Sequence, residues 1–260
     1  GITLTIGKTA KIPEGLFQPR DKENVPKIVN IIWEEGVQTI DCFEQYNYLP
    51  YLKSVSIPAG VFEISDGLLE ACSSITETAA GITYLDNSVI SCDENVQYVS
   101  LREGTNNILK DVFTDHSQLI SLVIPDSVSY ISAGILSGCS SLEELTVPFG
   151  GQRIEPLLYQ YPIGYIFGAT SYEGGVSVRQ EYRELVGNTE SFASSTYYFP
   201  ATLKTVNVTG GKIFYGAFYN CSELMRVTIP DGTVSIEDKA FYNCSELTEF
   251  IIPDSVSDIG

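Results

Sequence analysis

Three stretches of the chain, which begin at Ile120, Met225 and Thr248, repeat nearly the same sequence of residues. Each contains an Ile-Pro-Asp turn and, a few positions later, another isoleucine that serves as a register mark. This mark recurs at steps of about 23 residues over most of the chain, which is a typical period for stacked repeats. The register marks are Ile12, Ile40, Ile64, Leu85, Ile108, Ile131, Ile154, Ile213, Ile236 and Ile259. The period predicts a solenoid, because each unit can bury its apolar side only against its neighbours.

Alternating apolar residues predict one short strand in each unit. In one unit, the apolar positions Leu142, Leu145 and Val147 end in a strand-like alternation. The same pattern recurs at Leu119, Leu122 and Ile124, at Leu224, Val227 and Ile229, and at Leu247, Phe250 and Ile252. A proline turn follows several of these strands, at Pro58, Pro125, Pro230 and Pro253. A large apolar residue five positions after the register mark closes the coil, at Phe17, Leu69, Ile90, Phe113, Leu136, Phe218 and Phe241.

A cysteine lies eight positions after the register mark in four units, at Cys72, Cys139, Cys221 and Cys244. The chain has no C-x-x-C pair and a single histidine, so the usual zinc spacings are missing. We therefore expect no metal or other cofactor, and we expect thiols that act as small core residues. A disulfide between Cys221 and Cys244 stays open, because neighbouring strands lie about 4.8 Å apart. His116 occupies the cysteine slot of its own unit, which indicates a tolerated substitution.

The excess of acidic residues limits the classes of partner. The formal net charge is -18, whereas contacts with nucleic acids and anionic membranes are made by Lys and Arg. We therefore expect neither a nucleic acid nor an anionic membrane as a partner. No apolar run approaches the roughly 20 residues that a membrane-spanning helix needs. The chain opens on Gly1 without a leader sequence, which decides nothing about export.

Catalytic motifs are missing from the sequence, which has no Walker loop, G-x-S-x-G elbow or H-E-x-x-H motif. Glu143 and Glu144 are adjacent on a predicted strand and therefore point to opposite faces. Glu34 and Glu35 occupy a predicted turn. His116 is the one imidazole base for a serine nucleophile, and it fills a slot that cysteines fill elsewhere. The sequence therefore predicts a protein without enzymatic activity.

One long insertion, at residues 149–204, interrupts the repeat. Its ends are aromatic and its middle is polar, which predicts a hairpin or a small lobe with a mobile tip near Glu173, Gly174 and Gly175. Insertions into repeats often carry binding sites, and tyrosine combines contact area with a polar tip. The candidate side chains are Tyr159, Tyr161, Tyr165, Tyr172, Tyr197 and Tyr198. The favoured alternative is a structural patch that shields the core where a coil is broken.

The segment from Val227 to Leu247, VTIPDGTVSIEDKAFYNCSEL, resembles the BspA-like leucine-rich repeats of surface proteins from gut and oral bacteria and some mucosal protists. The resemblance covers the chain from about Lys53 onward. It implies a β-rich leucine-rich-repeat solenoid of the α/β horseshoe class, with one short parallel strand per coil, turns and short helical segments. The expected organisation is an N-terminal cap or irregular first coil at 1–24, coils at 25–148, the insertion at 149–204 and further coils at 205–260.

The resemblance also implies an extracellular or cell-surface protein with a longer repeat array, whose leader and anchor lie outside this stretch. The implied function is adhesin-like binding of host matrix, epithelial or microbial proteins. Outward strand positions form a ladder across the coils, and this ladder starts at Ser54 and Ser56. Its candidate partner-binding residues are Tyr98, Glu144, Arg226 and Glu249. Two alternatives stay open, namely a carbohydrate-binding module that uses the aromatic insertion and a spacer that presents another domain.

Overall fold

The computed structural model describes residues 1–7, 27–41, 49–151, 159–186, 189–210 and 212–260. Its strands are β1 Ile2–Ile6, β2 Ile28–Trp33, β3 Thr39–Ile40, β4 Ser54–Ser56, β5 Glu63–Ile64, β6 Glu77–Ala79, β7 Ile82–Leu85, β8 Ser88–Cys92, β9 Tyr98–Ser100, β10 Asn107–Ile108, β11 Ser121–Val123, β12 Glu144–Val147, β13 Tyr159–Gln160, β14 Gly175–Val186, β15 Thr189–Pro200, β16 Thr205–Val208, β17 Arg226–Thr228, β18 Ser235–Ile236 and β19 Asp258–Ile259. Its helical segments are α1 Asp66–Ala71, a 3-10 turn at Ser73–Ile75, and α2 Gly164–Phe167. No helix within these ranges is long and apolar enough to cross a membrane.

The chain divides into two compact units. The first unit comprises Gly1–Cys92 and Thr105–Lys110, and the second comprises Asp93–Gly104 and Asp111–Gly260. The predicted positions that lie outside the described residues are Ile12, Phe17 and Ile154, together with most of the predicted N-terminal cap.

Parallel strands from successive coils form a five-stranded sheet in the second unit, in the order β17-β16-β12-β11-β9. Every neighbouring pair in this sheet is parallel. The central residues lie side by side and are buried, namely Val99, Leu122, Leu145, Val206 and Val227. β16 pairs directly with β12, so the stack of strands continues across the insertion. This arrangement confirms the predicted solenoid with one short parallel strand in each coil.

Large apolar side chains close the coils of the second unit. Phe113, Leu136 and Phe218 are fully buried, as their spacing from the register marks predicts. The rings of Phe218 and Phe241 stack at a centroid distance of 5.2 Å, because the same position recurs in neighbouring coils. The repeated spacing therefore places two rings in contact between neighbouring coils.

The cysteine slot adds a hydrogen bond between coils. Cys139 donates its thiol to the carbonyl oxygen of Phe113 at 3.0 Å, and Cys244 donates to that of Phe218 at 3.1 Å. Cys221 is buried, and both Cys221 and Cys244 carry free thiols. Burial raises the pKa of the Cys244 thiol to about 11, which keeps it protonated and able to donate. The slot holds cysteine because a small apolar side chain with a weak donor fits there.

His116 fills the cysteine slot of its own coil through a different contact. Its Nδ1 atom lies 3.1 Å from the carbonyl oxygen of Thr114, and its ring meets Phe113 edge-on at 6.0 Å. Because a carbonyl oxygen only accepts, this contact places a proton on Nδ1. His116 is thus a buried core residue of the coil.

In the second unit, the residue before the cysteine slot adopts a left-handed backbone conformation. Its φ value is 61° at Asp115, 81° at Gly138, 60° at Asn220 and 56° at Asn243. Glycine, asparagine and aspartate tolerate this region best. The repeated Asn-Cys-Ser sequence therefore reflects a backbone requirement of the coil.

The first unit also contains parallel coils, with β1, β2 and β4 in one sheet and β3 paired with β5. In the coil that precedes Ile108, the register mark of the first unit is not at the predicted position. Here β6, β7 and β8 form an antiparallel meander, in which Leu85 pairs with Ser88 across a tight turn. Val89 lies beside Ile108 in the parallel pair β8–β10, so the prediction of Leu85 as register mark is wrong. The cause is local turn chemistry, since Asp86 takes a positive φ of 53° where the chain reverses.

Two predicted coil-closing positions of the first unit are displaced. Leu69 is half-buried, whereas its neighbour Leu68 on α1 is fully buried. Ile90 is half-buried on β8, since the meander replaces the expected coil there. In the helix α1 and in the antiparallel strand β8, the residue that faces the core is therefore not the one that the coil spacing predicts.

We predict that Gly138→Ala destabilises the coil stack more than Gly232→Ala. Both glycines have positive φ values, 81° and 97°, so each alanine meets a similar backbone strain of about 1 kcal/mol. A Cβ at Gly138 would also lie 2.8 Å from the Cα of Asp115 on the neighbouring coil, whereas a Cβ at Gly232 meets nothing within 4 Å. Urea unfolding should show a loss of about 2–4 kcal/mol for Gly138→Ala. Equal losses for the two variants would contradict this close approach of coils.

Candidate functional site

The outward positions of the five-stranded sheet form two rows in the second unit. The first row contains Tyr98, Ser121, Glu144, Thr205 and Arg226, which are neighbours by strand register, and an isolated bridge adds Glu249 beside Arg226. The second row contains Ser100, Val123, Thr146, Asn207 and Thr228. The four predicted partner-binding residues of the ladder therefore lie together in the first row.

Ser54 and Ser56 do not belong to these rows. They lie on β4, in the parallel sheet of the first unit, beside Asn30 and Ile32. The prediction that one ladder runs from Ser54 to Tyr98 is therefore wrong. The antiparallel meander β6–β8 occupies the intervening sequence and interrupts the regular period that the prediction assumed.

The first row has an exposed aromatic residue at one end and an ion pair at the other. The Tyr98 side chain is 68 % exposed. Arg226 Nη2 and Glu249 Oε2 lie 2.5 Å apart, and both side chains are exposed. Exposed ion pairs of this kind contribute roughly 0–1 kcal/mol to stability. These two charges therefore matter mainly as groups that a partner can contact.

Side-chain hydrogen bonds connect the two rows in their middle. Asn207 Nδ2 donates to Glu144 Oε1 at 2.9 Å and to Thr146 Oγ1 at 3.3 Å. Thr228 Oγ1 donates to Asn207 Oδ1 at 2.9 Å. These contacts fix side-chain rotamers before any partner arrives, which lowers the entropy cost of binding. The sequence pattern missed Asn207, although its place two residues after Thr205 repeats the spacing of Glu144 and Thr146.

The insertion contains a long antiparallel hairpin of β14 and β15, with β13 paired to the far side of β14. The prediction that its tip lies near Glu173, Gly174 and Gly175 is wrong, because the two strands of the hairpin connect between Val186 and Thr189. Gly174 lies at the base instead, where its carbonyl oxygen accepts a hydrogen bond from the N–H of Ala201 at 3.0 Å.

A single buried glutamine anchors the hairpin to the coils. The Gln180 side chain on β14 is 0 % exposed, and its Oε1 accepts the N–H of Gly164 at 2.8 Å. Its Nε2 donates to the carbonyl oxygen of Tyr219 at 2.9 Å and lies 3.4 Å from Cys221 Sγ. Gln180 lies between the charged residues Arg179 and Glu181, and no motif in this stretch of sequence marks it as a buried anchor.

A charged cluster around Tyr215, called here the Tyr215 cluster, holds the hairpin at a second point. Glu181 on β14 accepts a hydrogen bond from the Tyr215 hydroxyl and lies 2.7 Å from Lys239 Nζ. Arg183 lies 3.5 Å from Glu237, and its guanidinium stands 5.3 Å from the centre of the Tyr215 ring. Hydrogen bonds from Lys239 and then from Tyr215 lower the pKa of Glu181 below its usual value. The carboxylate is therefore held ionised.

The predicted insertion tyrosines pack mainly within the insertion. The rings of Tyr161 and Tyr165 stack at 4.6 Å, and Tyr182, which the sequence pattern missed, approaches Tyr161 at 5.2 Å. Tyr197 is only 6 % exposed, and burial raises its pKa to about 12. The Tyr172 hydroxyl donates to the carbonyl oxygen of Tyr198 at 3.1 Å. The half-buried members are Tyr161, Tyr165, Tyr172 and Tyr198, and the side chain of Tyr159 lies outside the described part.

Within the described ranges, no three side chains of His, Cys, Asp or Glu come together as a metal site. The arrangement instead offers a row of exposed polar groups on a rigid sheet. Such a surface can contact another macromolecule.

Comparison with known proteins gives one family and several remote structures. The sequence profile described as "BspA type Leucine rich repeat region" matches the chain in six copies, over residues 39–162 and 188–260. None of the curated proteins compared with the chain matches it.

Three solved structures are similar to the chain at low identity. A leucine-rich repeat protein from Eubacterium ventriosum is 16% identical, with a TM-score of 0.38 over 90% of this chain and 57% of that chain. A leucine rich cell surface protein from Faecalibacterium prausnitzii is 18% identical, with a TM-score of 0.38 over 88% of this chain and 61% of that chain. A leucine-rich repeat protein from Bacteroides ovatus is 20% identical, with a TM-score of 0.26 over 100% of this chain and 71% of that chain. The chain thus spans about three fifths of the length of the first two.

We predict that Gln180→Ala releases the hairpin from the coils. The variant removes the contacts of a fully buried amide and leaves the N–H of Gly164 without its acceptor. We expect a loss of about 2–4 kcal/mol in the free energy of unfolding, with faster amide hydrogen exchange along β14 and β15. The exposed Ser177→Ala on the same strand should change stability by less than about 0.5 kcal/mol. Unchanged exchange in Gln180→Ala would contradict the anchoring role.

We predict that acid weakens the Tyr215 cluster through Glu181. Because folding lowers the pKa of this carboxyl, its contribution is full above the unfolded-state pKa and is lost as pH falls through the folded-state value. Glu181→Gln should therefore destabilise the protein at pH 7, and the difference from wild type should shrink below about pH 4. Urea midpoints measured across this range test the effect, with Glu190→Gln as an exposed control. A difference that does not vary with pH would contradict it.

Proposed function

Because the chain belongs to the BspA-type leucine-rich repeat family, we propose that it is a non-enzymatic, adhesin-like protein of the cell surface or the secreted fraction. It binds a protein partner through the two outward rows of its five-stranded sheet. The partner is a matrix or epithelial protein of a host, or a protein of another microbe. The rows lie on a sheet whose opposite face is the buried core, so they form a rigid platform.

The observation that carries this proposal is the continuity of the first row. Glu144 and Thr205 are register neighbours although the insertion separates them in sequence. The row therefore presents adjacent side chains from Tyr98 to Glu249. At a strand spacing of about 4.8 Å, six positions extend over roughly 24 Å.

The composition of the rows suits a polar, specific contact. Tyr98 offers an exposed aromatic ring of the kind that dominates binding energy at interfaces. Arg226 offers a guanidinium that forms an exposed ion pair with Glu249. A carboxylate of the bound protein can replace Glu249 in this pair. The hydrogen-bonded group of Glu144 and Asn207 between them provides fixed acceptors and donors.

The proposal assigns no catalytic step to the chain. His116 is buried, and its Nδ1 atom is engaged by the carbonyl oxygen of Thr114. Glu144 is committed to the hydrogen bond from Asn207. These groups therefore serve the fold and the rows.

We predict that substitutions in the first row abolish partner binding while matched substitutions elsewhere do not. The probe is an array of purified extracellular-matrix and epithelial proteins, with a glycan array in parallel. Tyr98→Ala and Arg226→Ala should each weaken the strongest protein signal by about tenfold or more. Tyr242→Ala and Arg179→Ala remove side chains that are also exposed but lie outside the rows, and they should leave the signal unchanged.

The outcomes separate the alternatives. Binding that survives both row variants would contradict the proposal, as would silence of the whole protein array. A glycan signal that disappears in Tyr161→Ala would favour the carbohydrate-binding insertion. Silence of both arrays would favour a spacer that presents another domain.

A further inference from the structure

We propose that two copies of this chain associate by antiparallel pairing along the free edge of β15. This edge belongs to the hairpin of the insertion and is separate from the two rows of the sheet, so the inference does not depend on the proposed binding function. β15 is the terminal strand of the sheet β13-β14-β15. It is 12 residues long, which is long for an edge strand.

The backbone of β15 presents unpaired groups at regular intervals. The N–H of Tyr198 donates to the carbonyl oxygen of Gly168 at 3.0 Å and therefore points away from β14. Because N–H directions alternate along a strand, the N–H and C=O groups of Glu190, Phe192, Ser194 and Thr196 face the same way. Among the described residues, no backbone group pairs with these four on that side. They form a ready template for another strand.

Beyond Glu190, the edge lacks the features with which monomeric proteins block such pairing. The segment from Ser191 to Phe199 contains no charged residue, proline or glycine, and β15 pairs with β14 without a bulge. Charged side chains, prolines and bulges are the usual protection of an exposed edge. In a chain with a net charge of -18, this segment is a place where two copies can meet without opposing like charges.

If two β15 strands pair antiparallel about a two-fold axis at Ala193, all four outward residues of each strand form hydrogen bonds. It places Phe192 opposite Ser194 of the second copy and Glu190 opposite Thr196, so each of the four residues donates one hydrogen bond and accepts one. Carboxylates do not face each other in this register. The ring of Phe192 lies 5.0 Å from that of Tyr215 in its own chain and is still 58 % exposed. In this register it becomes the diagonal neighbour of its own counterpart, which its exposed part can contact. The edge is thus self-complementary in hydrogen bonding and charge, as an isologous interface requires.

The occupant is therefore a second copy and not a strand of unspecified origin. The contact area is small, so we expect a weak dimer whose population rises with concentration from the micromolar to the millimolar range. Because both copies are strongly acidic, added salt should strengthen the dimer by screening their repulsion.

Sedimentation equilibrium on the intact chain tests the proposal. Ser194→Pro removes an outward N–H from β15 while it leaves every backbone hydrogen bond between β14 and β15 in place, and it should weaken the dimer by about tenfold or more. It also removes the exposed Ser194 hydroxyl that accepts hydrogen bonds from Arg179, so circular dichroism and the hydrogen exchange of β14 check that the hairpin is intact. Ser177→Pro is the matched control, because the N–H of Ser177, opposite Tyr198 on β14, also points away from the hairpin. This control should leave the dimer constant within about twofold. Circular dichroism checks that both variants are folded.

Hydrogen exchange supplies a readout that is specific for the edge. In concentrated wild-type protein, the amides of Phe192 and Ser194 should become protected, and dilution should remove this protection. A chain that stays monomeric at every concentration would overturn the proposal. A dimer that both proline variants weaken equally, or that forms without protection of these amides, would overturn it as well.

Discussion

The structure depends on one interaction, the parallel hydrogen bonding of each coil to the next at a fixed register. Leu122, Leu145 and Val206 lie side by side because their strands share this register. Burial of these residues on one face forces the intervening residues to the other face, since strand side chains alternate. The exposed rows are therefore a direct consequence of the core, and their spacing cannot change without disrupting the coils.

The same register determines how the chain accommodates its insertion. β16 resumes the stack beside β12, so the insertion leaves the sheet and returns to it without adding a strand. The hairpin is then held against the outside of the coils by Gln180 and the Tyr215 cluster. Gly216 allows this contact, since a Cβ there would lie 2.2 Å from the carbonyl oxygen of Glu181. The insertion thus decorates the solenoid while the rows remain continuous.

The repeat made most of the second unit predictable, because its spacing alone identifies strand and core positions such as Leu145 and Phe218. The register mark at Leu85 was wrong, since a tight turn at Asp86 overrides the period with local backbone geometry. Gln180 and Asn207 escaped prediction for another reason. Their partners lie far away in sequence, and a contact between distant segments leaves no local pattern.

The central claim is that the strands stack in one continuous register across the insertion. Nuclear Overhauser effects between backbone amide and Hα protons of adjacent strands measure this directly. The structure predicts cross-strand contacts from Val206 to Leu145 on one side and to Val227 on the other. Contacts that join Leu145 to a residue of the insertion, or to Val227 without Val206 between them, would contradict it.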